Sequence, residues 1–368
     1  MSLTITTLHR LACARTPGAR NYALAVVIAA LGLLTIGAQP AAAEPVASAP
    51  TTAPREPLPI RPGESQMWLV STRTLPGPGG KCQGCGALEV YYFPCGGGAI
   101  LSSMDEFLAS DDPQLVNVIF VHGNGVTADS SVTEGSSFCR KLCACSGRPM
   151  RFVIWSWPSE HQECLVLPDL RLKLARTNID ALYLAEFVKA LPPREPLCLI
   201  GFSFGCRITA GSLHLLAGGA IDGRSLETPG PRRDSSIRSV MLGAALDNEA
   251  LLPQNSHGLA LTQTDHMLVT VNPRDCVLRY FPLLREDRRP ALGLAGMNGY
   301  ADIIGEKITY VEIDQYLGRH HAFKYYLEVP QIIELVRGEI RTTGEPIAAP
   351  TPAPLERAAA VPPLSLVH

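Results

Sequence analysis

Short apolar runs rich in β-branched residues recur along this chain. They fall at Trp68–Thr72, Leu88–Phe93, Val116–Val121, Phe152–Trp157, Leu197–Gly201, Ser239–Ala245, Met267–Val271 and Ile308–Ile313. The inner runs are almost continuously apolar, which suits strands covered on both faces. Helix-like stretches separate most of them. In Asn178–Leu191, the residues Ile179, Leu182, Ala185, Phe187 and Val188 fall mostly on one helical face. Phe204–Leu216 and Val329–Val336 also read as helices. Strands alternating with helices predict an α/β chain with a largely parallel, eight-stranded sheet flanked by helices. Ligands of such sheets bind at the carboxyl ends of the strands.

The chain has 368 residues, 46% of them hydrophobic, enough for one large core. Its net charge of −2 gives no electrostatic basis for a nucleic-acid partner. The ends differ from the middle. Arg10, Arg15 and Arg20 precede the apolar run 22–38, and Ala41, Ala42 and Ala43 follow it. A basic flank, an apolar stretch and small residues at a cut site predict a secretory signal over residues 1–43. An uncleaved anchor is the alternative, with residues 22–38 associating with a membrane, since the run is just long enough to span one. Either way the expected location is periplasmic or extracellular. Residues 44–65 read as a Pro/Ala-rich linker and 344–368 as a disordered tail, because such segments bury too little apolar surface to offset chain entropy. The folded part is expected over 66–343.

Of the 11 cysteines, Cys13 lies in the signal. Ten remain, an even number that favours disulfides in an oxidising compartment. Cys82 and Cys85 form a CxxC, and Cys139, Cys143 and Cys145 form a second cluster. Free thiols or a zinc site are the alternatives. Zinc is disfavoured because no histidine stands at ligand spacing. Cys198 and Cys276 read as small apolar fillers.

Candidate chemistry centres on CLIGFSFGCRIT. Ser203 sits in the G-x-S-x-G frame of Gly201, Phe202, Ser203, Phe204 and Gly205. A strand, a cramped turn and a helix would lift its hydroxyl above the sheet. Upstream, VIFVHGNG ends a strand in His122, Gly123, Asn124 and Gly125. Backbone N–H groups there could face a developing oxyanion. Asn124 N–H is the first candidate, with Gly123 the alternative, and Phe204 N–H the second donor. His122 precedes the serine and reads as structural. Downstream, a strand runs through HMLVTVNPRDCVL to Asp275, where a carboxylate could orient an imidazole. Asp275 could equally cap a helix over Cys276–Phe281. Asp247, one strand earlier, is a rival acid. The last strand leads to QYLGRHHAFKYYL, and only one of the adjacent His320 and His321 can act as base. His321 is preferred, because the aromatics of AFKYY directly after it could seat the loop. The resulting order is Ser203, Asp275, His321.

On FVHGNG, VIWSWPSE, RTNIDALYLAEFVKAL, GFSFG, LGAALDNEAL and NPRDCVL, the chain resembles the α/β-hydrolase superfamily over about 116–336. It looks closest to an uncharacterised group of bacterial serine hydrolases. The resemblance implies an α/β-hydrolase fold with Ser203 as nucleophile, Asp275 as acid and the late histidine as base. Two adjacent histidines, Asn124 in the loop and the cysteine clusters depart from the general pattern.

The sequence therefore points to a serine hydrolase acting on a small acyl or ester substrate, with no metal or organic cofactor required. Two alternatives stay open: an exported, non-catalytic binding module on the same fold, and a CxxC-based redox or metal protein. Oligomeric state is not written in these features.

Overall fold

The strands that the apolar runs predict form one sheet. The computed structural model describes residues 57–343, except 79–86, 96, 145–147, 164, 194–195, 229, 231–236, 285–286 and 298–306. Its strands are β1 (Gln66–Ser71), β2 (Glu89–Phe93), β3 (Ile100–Ser102), β4 (Val116–Val121), β5 (Met150–Ser156), β6 (Leu197–Phe202), β7 (Ile237–Leu242), β8 (His266–Val271) and β9 (Ile308–Glu312). Their order is β3-β2-β1-β5-β4-β6-β7-β8-β9. Every pairing from β1 to β9 along this order is parallel. Only β1–β2 and β2–β3 are antiparallel. The sheet thus has one strand more than the sequence predicts. The extra strand, β3, is three residues long at an edge, too short to carry a periodic signal.

Alternation across the pleat divides the core in two. Ile119 and Val121 of β4, Leu197 and Leu199 of β6, and Met267 and Val269 of β8 bury into one face. Val118, Phe120, Cys198, Ile200 and Leu268 bury into the other. The long helices are α1 (Ala128–Cys143), α2 (Val166–Ala190), α3 (Phe204–Leu216) and α4 (Pro330–Thr342). Side chains of α2 and α3 cover the first face and those of α1 and α4 the second. This is an α/β architecture: a mostly parallel sheet between two helical layers.

Helix α2 begins twelve residues before the predicted Asn178, because its first turns carry the polar residues Asp169, Lys173 and Arg176 on a buried side. There Asp180 accepts from Arg176 Nε at 2.5 Å and also binds Thr72, while Arg176 donates to the carbonyls of Thr72 and Leu75. A buried charge is tolerated when paired and hydrogen-bonded in this way.

The sheet's order reverses at β4. The chain steps from β4 to β5 on one side, then crosses to β6 on the other. Carboxyl-end loops diverge at such a point and open a crevice between them. At the opposite edge of the sheet, Arg148 Nη1, just before β5, donates to the carbonyl of Thr343 at 2.6 Å. Ser65, just before β1, accepts from Met150 N–H at 3.1 Å.

Residues 1–56 and 344–368, which hold the expected signal or anchor, most of the linker and the tail, lie outside the described residues, as do Cys82, Cys85 and Cys145. Among the described residues no helix is long and apolar enough to cross a membrane. Cys95, Cys139, Cys143, Cys198, Cys206 and Cys276 are free thiols, with the sulfurs of Cys139 and Cys143 3.9 Å apart.

Candidate active site

Ser203 stands between the end of β6 and the start of α3, at the reversal point of the sheet. Its backbone has φ 53° and ψ −117°, a conformation L residues rarely adopt. Neighbours hold it there: Ser203 N–H donates to Leu242 O at 2.9 Å, and its carbonyl accepts from Cys206 N–H at 3.1 Å. The flanking glycines are sterically required. A Cβ on Gly205 would lie 2.1 Å from the Val121 carbonyl oxygen, and one on Gly201 would lie 2.7 Å from the Cys206 backbone. The sequence frame G-x-S-x-G is the chemical consequence of that crowding.

Two hydrogen bonds link three side chains from three loops. Ser203 Oγ lies 2.9 Å from His321 Nε2, and His321 Nδ1 lies 2.8 Å from Asp275 Oδ2. With the ring protonated at Nδ1, the imidazole donates to the carboxylate and accepts from the serine hydroxyl. Asp275 is wholly buried. Its second oxygen, Oδ1, accepts from Val277 N–H at 2.8 Å and Leu278 N–H at 2.9 Å. The same carboxylate therefore caps the turn that follows and holds the imidazole, joining the two roles the sequence leaves as alternatives.

The adjacent histidines part company. After His321 and Ala322, Phe323 plunges into the core, stacking on Phe120 at 4.9 Å and meeting Phe202 at 4.9 Å and Phe138 at 5.4 Å. That anchor turns His321 inward against Phe202. His320 is left exposed, stacked on Tyr325 at 4.1 Å. Asp247, the rival acid, is directed elsewhere. Its Oδ1 accepts from Glu249 N–H at 2.8 Å and sits 4.0 Å from Arg289.

The loop after β4 passes beside Ser203. A Cβ on Gly123 would stand 3.2 Å from Ser203 Cβ and 2.9 Å from the Phe202 ring, so only a glycine backbone fits so close. The Gly123–Asn124 segment thus flanks the serine on one side. Phe204 begins α3 on the other, where first-turn N–H groups have no intrahelical acceptor.

Sequence reasoning missed what holds this loop. His122 is fully buried and stacks on Trp157 at 5.7 Å. Its Nδ1 donates to Gly123 O at 2.9 Å, and its Nε2 accepts from Trp157 N–H at 3.2 Å. Burial, and then the Arg73 guanidinium nearby, pull its pKa down to about 3, so the ring is neutral at ordinary pH. The WPS step was visible in the sequence, but nothing in its spacing ties it to a loop 35 residues away.

Cys198 lies wholly buried in β6, and burial pushes its thiol far up. Cys276, beside Asp275, is half-buried, and burial followed by that carboxylate raises its thiol too. Neither thiol is primed as a nucleophile.

No family model matches the chain, and no curated protein matches it. Among solved structures it is similar to an esterase of Pyrobaculum calidifontis, at 14% identity and TM-score 0.34, covering 69% of this chain and 80% of that one. A thermostable carboxylesterase cloned from a metagenomic library shares 15% identity at TM-score 0.36, over 70% and 85% of the two chains. Esterase B of Lactobacillus rhamnosis shares 13% at TM-score 0.37, over 77% and 86%.

Proposed function

We propose that the protein is a serine hydrolase that cleaves an ester or related acyl bond through an acyl-enzyme on Ser203. The observation that carries this reading is the unbroken hydrogen-bond chain Asp275–His321–Ser203, built on a serine in a strained turn. In this mechanism Ser203 Oγ adds to the substrate carbonyl carbon while its proton passes to His321 Nε2. Asp275 keeps the other ring proton on Nδ1 and stabilises the imidazolium. The carbonyl oxygen becomes an oxyanion facing the N–H groups of Phe204 and Asn124, with Gly123 the alternative to Asn124. Collapse of the adduct expels the alcohol, which takes the proton from His321. Water then repeats the sequence, with His321 as base, and releases the acid and free Ser203. His320 and Asp247 take no part.

The order of basic, apolar and small residues over 1–43 supports placing this activity outside the cytoplasm, with the segment cleaved or kept as an anchor.

The test is labelling of the purified protein with a fluorophosphonate, followed by turnover of a panel of p-nitrophenyl esters of varied chain length. Wild type is expected to label and to turn over at least one ester, and Ser203→Ala to do neither. Labelling that persists in the alanine variant would overturn the assignment.

A further inference from the structure

We infer that the WPS step, Trp157-Pro158-Ser159, acts through His122 as a positioning device that aims the Asn124 N–H at the substrate oxyanion. The inference rests on the hydrolase reading above and adds residues that reading does not use.

Most of the hydrogen bonds that hold the loop from His122 to Val126 come from the WPS step, and Arg73 Nη2 adds one to Val126 O at 3.0 Å. Ser159 O accepts from Gly125 N–H at 2.8 Å. Ser159 Oγ accepts from Val126 N–H at 3.0 Å and donates to Val126 O at 3.0 Å. The Trp157 indole N–H donates to His122 O at 2.8 Å, and its backbone N–H to His122 Nε2 at 3.2 Å. Accepting at Nε2 forces the neutral ring to carry its proton on Nδ1, and that proton goes to Gly123 O at 2.9 Å.

Geometry supplies the rest. In a planar trans peptide the carbonyl and the following N–H point in opposite directions. The Gly123–Asn124 peptide therefore points its oxygen at the His122 ring and its N–H away from it. That ring packs on Trp157, at the end of β5. Strand β4 lies between β5 and β6, so away from the ring means toward β6 and Ser203. The Gly125 and Val126 N–H groups are both engaged by Ser159, which leaves those of Gly123 and Asn124, and the bond from His122 to Gly123 O fixes the direction of the second. A peptide flip would break the His122 bond and replace the donor with a carbonyl oxygen, which would repel the oxyanion. Ser159, Trp157 and His122 are all fully buried, so the bonds of the bracket are shielded from bulk water.

The experiment compares His122→Phe and His122→Asn in the full-length protein. Phenylalanine keeps a ring against Trp157 but removes the donor; asparagine Nδ2 stands near the place of Nδ1 and can still donate to Gly123 O. Two quantities are read: kcat and KM on the best ester, and affinity for a trifluoromethyl ketone, which binds only by forming the tetrahedral oxyanion on Ser203. His122→Phe is expected to lose about 100-fold in kcat with KM within a few-fold, and to lose ketone affinity in parallel. His122→Asn should recover most of both. Ser159→Ala, a smaller lesion, should weaken ketone binding more than it raises KM, and serves if His122→Phe does not fold. Wild-type kcat and ketone affinity in the phenylalanine variant, or in Ser159→Ala where that variant stands in, would overturn the inference. So would an asparagine variant no better than phenylalanine. An active Ser203→Ala would instead sink the hydrolase reading itself.

Discussion

Ser203 carries a conformational cost, one that the proposed nucleophile role would demand. A non-glycine residue at φ 53° is disfavoured by about 1–2 kcal/mol. Ser203→Gly should therefore melt above Ser203→Ala, by the equivalent of about 1 kcal/mol, although both lack a nucleophile. Equal melting temperatures would show that the turn stores no strain. Asp275 makes the opposite case, since under the proposed mechanism its carboxylate serves chemistry and structure together. Asp275→Asn keeps an oxygen for the Val277 and Leu278 N–H groups, so it should fold normally and lose about 10⁴-fold in kcat through the wrong imidazole tautomer. Asp275→Ala should lose comparable activity and also stability, because two buried N–H groups lose their acceptor. Circular dichroism melts beside ester kinetics separate the two effects. Chemistry alone does not rank His320 above or below His321 in the sequence. What separates them is the depth of Phe323, a property of its packing against β4, α1 and β6, all far earlier in the chain.

At the scale of elements, legibility followed how apolar each segment is. The runs of β4, β6 and β8 are buried on both faces and were readable as strands, and α3, which starts directly after Ser203, was readable as a helix. Helix α1 was not readable. Its sequence, ADSSVTEGSSFCRKLC, is rich in poor helix formers, and its buried face is Ser131, Gly135, Phe138, Cys139 and Leu142. Gly135 is there because a Cβ would meet Ile154 at 2.6 Å. The helix is held by tertiary packing and by its Thr127 cap, which accepts from Ser130 N–H at 3.2 Å. That packing also partly buries a carboxyl group. Burial pushes Glu134, on α1, up to about 7 from its ordinary 4.5. An acid whose pKa is raised by folding binds its proton more tightly in the folded state. Stability is therefore lost as pH rises from the unfolded to the folded value, about 4.5 to 7, and stays low above it. Glu134→Gln should melt with wild type at pH 4.5 and above it at pH 8, by up to a few kcal/mol as an order of magnitude. Melting curves that stay parallel across that range would contradict the burial of this group.

The molecule as a whole is a sheet with a chemical edge and a structural edge. Ser203, His321, Asp275 and the bracketed loop all follow the carboxyl ends of strands, around the reversal between β4 and β6. This placement follows from alternating strands and helices, and it was readable before any side chain was located. The bracket on the loop was not, because it depends on β5 lying next to β4 in space. The other edge carries ionic and polar fastenings instead: Arg238 to Glu339 at 2.9 Å, Glu339 to His266 at 2.9 Å, and Arg148 to the Thr343 carbonyl. Residues 57–65 lead into β1 along that same edge, where Ser65 meets Met150 N–H and Gly63 N–H meets Asp112. Both ends of the described chain thus leave from the side away from the serine. A molecule fastened to a surface directly at residue 57 or residue 343, as on a chromatography bead, would present the face that carries Ser203 outward to the surrounding fluid.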